Sequence, residues 1–291
     1  MTFAIGVDVG GTKTAVARVS RTGRIDEFFL FETPKNPREL RLQVSRHVDF
    51  LLRAHAAVGI GFGVAGCVDS KKGTVSDSYN LFGAKTVNLK KAFKGFSLPM
   101  VVENDANAWA FAEYRLAKRK PHFLGVLTLG TGVGCGLVFE GNIFHGSAFA
   151  SEFGHTVVDP AGFTDSAGIR GSLEAMANGA SVVLRARKAG LRVSDAALVS
   201  DLGAAKNPKA VRALVETGFW AGIGIANLVN TLHLDSVVLA GGLSRSKILS
   251  ESAKKTALKR LYPSFGKGLS IRASGLEMGA CVGAALLAFE R

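Results

Sequence analysis

The chain moves between two spacings of apolar residues. Residues 3–10, "FAIGVDVG", and 13–20, "KTAVARVS", are short apolar and alternating runs, which predicts two strands joined by a turn at Gly10-Gly11. "RTGR" turns the chain again before a third strand, "IDEFFLFET". The opening glycines resemble a phosphate loop, but Lys13-Thr14 follow Gly11 one residue too late for G-x-x-x-x-G-K-[ST], and no helical pattern begins there. A glycine hairpin is therefore predicted. Helical spacing appears in "RELRLQVSRHVDFLLRAHAA", with Leu40, Val44, Val48, Leu51 and His55 on one face. "VGIGFGVAG" reads as a buried strand, "PMVVEND" as a strand ending in polar residues, and "ANAWAFAEYRLA" as a helix. Residues 123–146 repeat the opening pattern: "FLGVLTLG", a Gly-Thr-Gly turn, "VGCGLVFE", a Gly-Asn turn, then "IFHG". A long helix over about 207–231 precedes the strand "LDSVVLAGGLS". Strands alternating with helices predict an α/β protein with two related halves, whose ligands bind at the carboxyl ends of strands.

A chain of 291 residues supports one large or two medium domains. The longest near-apolar run, 278–289, is too short to span a bilayer, and no basic segment followed by an apolar stretch marks a secretory signal, so no membrane partner is expected. Cys67, Cys135 and Cys281 are far apart and form no C-x-x-C pair, which fits a reduced cytoplasm. The net charge of +13 suits a polyanionic partner. However, the lysines and arginines are scattered, with clusters only at 117–122 and 253–260 and no interleaved aromatics, so nucleic acid is not expected.

Two sets of residues suggest chemistry. Gly/Thr turns expose backbone N–H groups to phosphate oxygens, and Asp8 ends the strand before the first turn. Asn104-Asp105 ends a strand before a helix. These two residues could cap that helix, or Asp105 could serve as a base beside an amide that reads a hydroxyl. Asp8 could likewise be only a turn-stabilising side chain.

"DVGGTKT", "LGTGVG" and a strand ending in "AGG" resemble the actin-like ATPase (ribonuclease H-like) fold. "VENDANAWA", "SEFGH", "GIRGSLEAMANG" and "VVLAGGLS" resemble the ROK-family bacterial sugar kinases, and the likeness runs from about residue 4 to 288. The resemblance implies two similar α/β domains around a central cleft. The first would cover 1–116, with the C-terminal helix 277–291 packing back on it, and the second 117–276. It implies glucokinase-like transfer of the γ-phosphate of ATP to a hexose, glucose by default, with Mg²⁺ held through water by Asp8. Gly10, Gly11, Thr12, Lys13, Gly130, Thr131 and Gly132 would line the phosphates, and Gly241 and Gly242 the adenosine. Asp105 would be the catalytic base; Asn104, Glu152, His155 and Glu174 would bind the sugar, with Gly66 and Asn80 in sugar-side loops. A homodimer is also implied.

The sequence departs from the family at "DSAGIRGSLE", where Asp165, Ala167 and Ser172 stand at the positions of three zinc-binding cysteines. No zinc is expected, because His155 and Asp165 are too few ligands, and both His155 nitrogens are expected to be free. The basic charge leaves polyphosphate open as a donor, and an N-acetylhexosamine remains open as acceptor. A non-catalytic sugar-binding or regulatory ROK protein is the rival class. Asp105 argues against it, and so does the absence of the DNA-binding segment that precedes the first strand in ROK repressors.

Overall fold

A computed structural model describes residues 2–78, 81, 85–149 and 151–290. The chain begins with the strands β1 (Phe3–Val9), β2 (Lys13–Ser20) and β3 (Ile25–Glu32), which pair antiparallel as a meander. Helix α1 (Pro37–Ala54) starts at the N-cap Asn36 with a proline in its first turn. Strand β4 (Ala57–Val64) follows, then the small three-stranded sheet β5 (Cys67–Asp69), β6 (Thr74–Ser76) and β7 (Val87–Asn88). After helix α2 (Leu89–Ala92) come β8 (Met100–Asn104) and α3 (Asp105–Leu116). The first main sheet has the order β3-β2-β1-β4-β8, with β1, β4 and β8 mutually parallel.

A second meander is formed by β9 (Phe123–Leu129), β10 (Val133–Phe139) and β11 (Asn142–Ile143). Helices α4 (Leu173–Ala177), α5 (Gly179–Lys188), α6 (Ala196–Ala204) and α7 (Pro208–Leu232) follow. The chain ends with β12 (Ser236–Ala240), α8 (Lys247–Leu258), β13 (Ser270–Ala273) and α9 (Gly279–Ala288). The second main sheet has the order β11-β10-β9-β12-β13, and β9, β12 and β13 are parallel. The chain divides into two compact units: Met1–Lys120, Gly136–Ala150 and Leu276–Arg291 in one, Pro121–Cys135 and Ser151–Gly275 in the other. Residues 136–150, assigned from sequence to the second domain, thus group with the first unit.

The two faces of the first sheet are built differently. Ile5, Val7, Ile60, Phe62 and Val64 form one core with Leu40, Val44, Val48 and Leu51 of α1. The helical face expected to include His55 ends earlier, because His55 is the extended C-cap residue of α1 and is exposed. On the other face lie Gly6 and Gly61, against which α9 packs at backbone distance. A β-carbon at Gly61 would fall 1.8 Å from the Ala284 carbonyl oxygen, and one at Gly6 2.0 Å from that of Cys281. α3 begins directly at the end of β8, and α9 packs against α3 at backbone distance too, since a β-carbon at Gly283 would meet the Ala108 carbonyl oxygen. Among the described residues, no helix is long and apolar enough to cross a membrane.

Candidate functional site

In the first unit the parallel register sets Asp8, Gly63 and Glu103 in one row across β1, β4 and β8. Asp8 and Asp105 are both partly buried. Burial, followed by the charge of Asp105, pushes the Asp8 carboxyl up to about 8. Burial also raises Asp105, against a backbone hydrogen bond that lowers it: its Oδ1 accepts from Ala106 N at 2.9 Å. Asn104 is the N-cap of α3; its Oδ1 accepts from the N–H groups of Ala106 and Asn107 at 2.9 and 3.1 Å. Its Nδ2 donates to the Gly66 carbonyl at 3.1 Å. Gly66 has φ +120°, and a β-carbon there would meet Ser78 at 2.8 Å. Gly66 therefore fastens the 66–78 loop to the end of β8. Asn80 lies outside the described residues.

A residue that the sequence reading missed stands directly behind this pair. Glu103 is buried, and its Oε1 accepts from Asn104 N at 2.9 Å and Asn107 Nδ2 at 3.0 Å. Its Oε2 accepts from Ser70 Oγ at 2.9 Å and lies 2.7 Å from His145 Nε2. The hydrogen bond to Glu103 raises the His145 pKa against a smaller opposing effect of burial. A charged residue inside the apolar run "MVVEND" was the available signal.

The first glycine turn joins β1 to β2 with Gly10 N donating to Lys13 O at 3.1 Å. The Gly10 carbonyl accepts from Thr33 Oγ1 at 2.7 Å, the Thr12 carbonyl from Thr33 N at 2.9 Å, and the Gly11 carbonyl from Lys35 Nζ at 2.9 Å. Because a trans peptide is planar, the N–H groups of Gly11 and Lys13 point away from Thr33.

In the second unit, Ala240 pairs with Thr128, which brings the Gly130–Gly132 turn and Gly241-Gly242 to the same strand ends. Gly241 has φ +81°, and a β-carbon there would lie 2.5 Å from the Leu129 carbonyl oxygen. The Gly130 carbonyl accepts from Gly179 N, at the start of α5, at 2.8 Å. At Gly132 a β-carbon would collide with Glu174 Oε2 at 2.4 Å. Buried Glu174 accepts from Val133 N at 3.0 Å and from Ser166 Oγ at 2.8 Å, so it ties the turn to the 155–174 loop.

Asp165 organises that loop. Its Oδ2 accepts from Ser172 Oγ at 2.6 Å and lies 2.9 Å from His155 Nδ1, while its Oδ1 accepts from the N–H groups of Ala167 and Ile169 at 2.9 and 2.8 Å. Of the two His155 nitrogens expected to be free, Nδ1 is thus engaged, and Nε2 lies 3.9 Å from Glu152 Oε2. Burial lowers the His155 pKa, but the Asp165 hydrogen bond and the charges of Glu174, Asp165 and Glu152 outweigh it and leave it raised. Burial raises the Asp165 pKa, but the hydrogen bonds from Ser172, His155 and Ile169 N outweigh it and leave it lowered. His155, Asp165 and Glu174 offer ligand atoms within 4.8 Å of one another, three donors where a structural zinc site uses about four.

The ROK family model matches residues 4–291. The chain belongs to the ROK family. It is 32% identical over 263 residues to a glucokinase of Streptomyces coelicolor, covering 84% of this chain and 83% of that one. It is 32% identical over 243 residues to an N-acetylmannosamine kinase of Citrobacter koseri, covering 82% and 83%. The solved structure of a ROK family glucokinase from Streptomyces griseus, in complex with glucose and AMPPNP, superposes with a TM-score of 0.91 at 30% identity, covering 99% of this chain and 100% of that one. The fold expected from the resemblance, that of the ROK kinases, is the fold found.

Proposed function

We propose that this ROK protein transfers the γ-phosphate of ATP to a hydroxyl of a hexose, with glucose as the default acceptor and Asp105 as general base. One observation carries the reading: Asp105 stands at the carboxyl end of β8, on the first residue of α3, with its pKa raised by burial. In this reading the sugar hydroxyl gives its proton to Asp105 as its oxygen bonds to the γ-phosphorus, and the bond from that phosphorus to the oxygen kept by ADP breaks. Asn104 can donate its second amide hydrogen to another hydroxyl while its other groups cap α3. Glu152, His155 and Glu174 are the further sugar ligands, and His155 presents Nε2 because Asp165 holds Nδ1.

The N–H groups of Gly11 and Lys13 are suited to phosphate oxygens, with Gly130, Thr131 and Gly132 as the second phosphate turn. Gly241 and Gly242 are the adenosine-side residues; beside Gly242 a β-carbon would find no neighbour within 4 Å. Asp8 suits a hard cation, because a carboxyl driven up to about 8 by burial and a neighbouring carboxylate is relieved by a positive charge. Mg²⁺, held there through water, would supply neutralisation of the phosphate oxygens. A homodimer belongs to the same reading.

The test is ADP release from Mg²⁺-ATP with a panel of hexoses and N-acetylhexosamines, run beside Asp105→Asn. We expect turnover on one sugar, lowered roughly 10²–10⁴-fold in the variant, the usual contribution of a general base, with sugar affinity little changed. Activity that survives the substitution removes Asp105 from the mechanism. The likeness to an N-acetylmannosamine kinase makes preference for an N-acetylhexosamine the second reading. No turnover on any sugar with ATP would favour a polyphosphate donor or a non-catalytic sugar-binding role.

A further inference from the structure

The second unit has a pocket that none of these assignments uses. It has a volume of about 280 Å³ and is lined by Phe163, Arg185, Lys188, Lys209, Arg212 and Glu216, together with two alanines. Four cationic side chains thus surround one carboxylate. Lys209 and Arg212 lie on the first turns of α7, where the aligned peptide dipoles of a long helix add partial positive charge, although Asn207 already accepts from the N–H groups of Lys209 and Ala210. Lys188 and Arg212 are exposed, so their charges face the pocket from its rim.

Arg185 is different. Its side chain is only 4% exposed. Nε donates to Glu216 Oε1 at 2.9 Å, and Nη1 donates to Met176 O at 2.9 Å and Thr217 Oγ1 at 3.2 Å. Nη2 is buried and has no hydrogen-bond partner. Leaving a donor of a buried charged group unpaired is costly, and most such groups in folded proteins have a partner. The guanidinium also lies over the Phe163 ring at 5.2 Å, with Lys188 Nζ over the same ring at 4.9 Å. These contacts hold two cations at the pocket where exposed lysines and arginines ordinarily scatter.

We propose that this pocket is an anion site that takes a small phosphate-bearing molecule, with Lys188, Lys209 and Arg212 as its ligands and Arg185 as the fixed charge beneath them. A volume near the lower end of ligand cavities suits inorganic phosphate or a small phosphate monoester and not a nucleotide. Arginine and lysine together are the usual set for phosphate, and the buried guanidinium adds a fixed positive charge beneath the pocket. The site is also connected to the sugar-side loop. Phe163 O accepts from Gly171 N at 2.6 Å, and Arg185 Nη1 holds the Met176 carbonyl on α4, the helix that carries Glu174. The proposal stands on the pocket itself and does not require the kinase reading.

The experiment titrates the full chain with inorganic phosphate, by calorimetry and by thermal melting, at fixed ionic strength set with chloride. Three variants run beside it. Lys188→Gln/Arg212→Gln removes two rim charges without touching the buried guanidinium. Lys254→Gln/Lys255→Gln removes the same charge on α8. Asp105→Asn alters only the proposed catalytic base. We expect saturable binding that weakens by roughly tenfold or more in the pocket variant and is unchanged in the other two, since each removed charge-assisted contact is worth about that factor. An equal loss in both charge-removing variants would reduce the effect to net charge and overturn the site. So would binding that survives intact in the pocket variant, because it would place phosphate elsewhere, at the glycine turns. A hexose phosphate titrated into the pocket variant and the parent then separates the two sources of the ligand. A loss confined to the pocket variant supports a monoester here, and an equal affinity in both assigns the monoester to the sugar site and overturns that part.

Discussion

Asp8 and Asp105 hold their protons more tightly than ordinary carboxyls for the same first reason, burial at the ends of parallel strands. For Asp8 this has a consequence for stability. Its folded value is near 8 and its ordinary value 3.8, so below about pH 4 both folded and unfolded chains keep the proton. As pH rises towards 8 the unfolded chain releases it and the folded chain does not, and stability falls across that window. Asp8→Asn removes the effect. In metal-free buffer the variant should gain on the parent as pH rises from about 5 to 8, by upwards of about 1 kcal/mol, in urea melts. A parallel pH profile for the two proteins would mean that Asp8 is well solvated. Asp105 was readable from its place in "VENDANAWA", but Glu103 was not. Glu103 reads in the sequence only as one of the polar residues that end its strand, and the fold alone brings Ser70 and His145, distant in sequence, to its carboxylate.

At the level of elements, the strands and helices were legible because each carries its own period. The two meanders, the helix over 208–232 and the strand that runs up to Gly241 follow the pattern of the sequence. The resemblance implied that the C-terminal helix packs back on the first domain, but which residues meet there stayed hidden. The alternating glycines of "VGIGFGV" predict a buried strand and give no hint that α9 lies against them. Gly61→Ala should therefore be among the most damaging single-methyl additions, costing roughly 1–3 kcal/mol or more because backbone and not a flexible side chain meets the new carbon. Gly95→Ala, where no atom lies within 4 Å, should change stability by less than about 0.5 kcal/mol in the same denaturant series. The 155–174 loop teaches the same lesson about the site. Its residues were identified one by one, whereas the role of Asp165 as the hub that joins His155, Ser172 and two backbone N–H groups exists only in the folded loop. Asp165→Ala should raise the sugar KM about tenfold with a smaller change in kcat, since it releases a ligand and leaves the base in place. An equal fall in kcat with KM unchanged would tie Asp165 to the chemical step instead.

For the whole molecule, the decisive question is whether folding depends on a metal. A structural zinc contributes apparent free energies of about 10–16 kcal/mol in small zinc domains, and chelators unfold proteins that rely on it. Where the family resemblance implies three zinc-binding cysteines, this chain has Asp165, Ala167 and Ser172, and Asp165 spends its oxygens on hydrogen bonds within the protein. A zinc ion bound by His155, Asp165 and Glu174 would have to displace a hydrogen-bond partner from Asp165, whose two oxygens already face four of them. Those bonds are already satisfied, and three harder ligands return less than a thiolate set. Purified protein should therefore carry well under one zinc per chain by elemental analysis, and excess chelator should shift its Tm by less than about 2 °C, the equivalent of under 1 kcal/mol in a chain of this size. Stoichiometric zinc with a large chelator-induced fall in Tm would show that the loop is metal-held and that the Asp165 hydrogen bonds are its apo arrangement. The chelator arm must omit nucleotide, because removal of Mg²⁺ from a bound nucleotide would lower Tm by mass action alone.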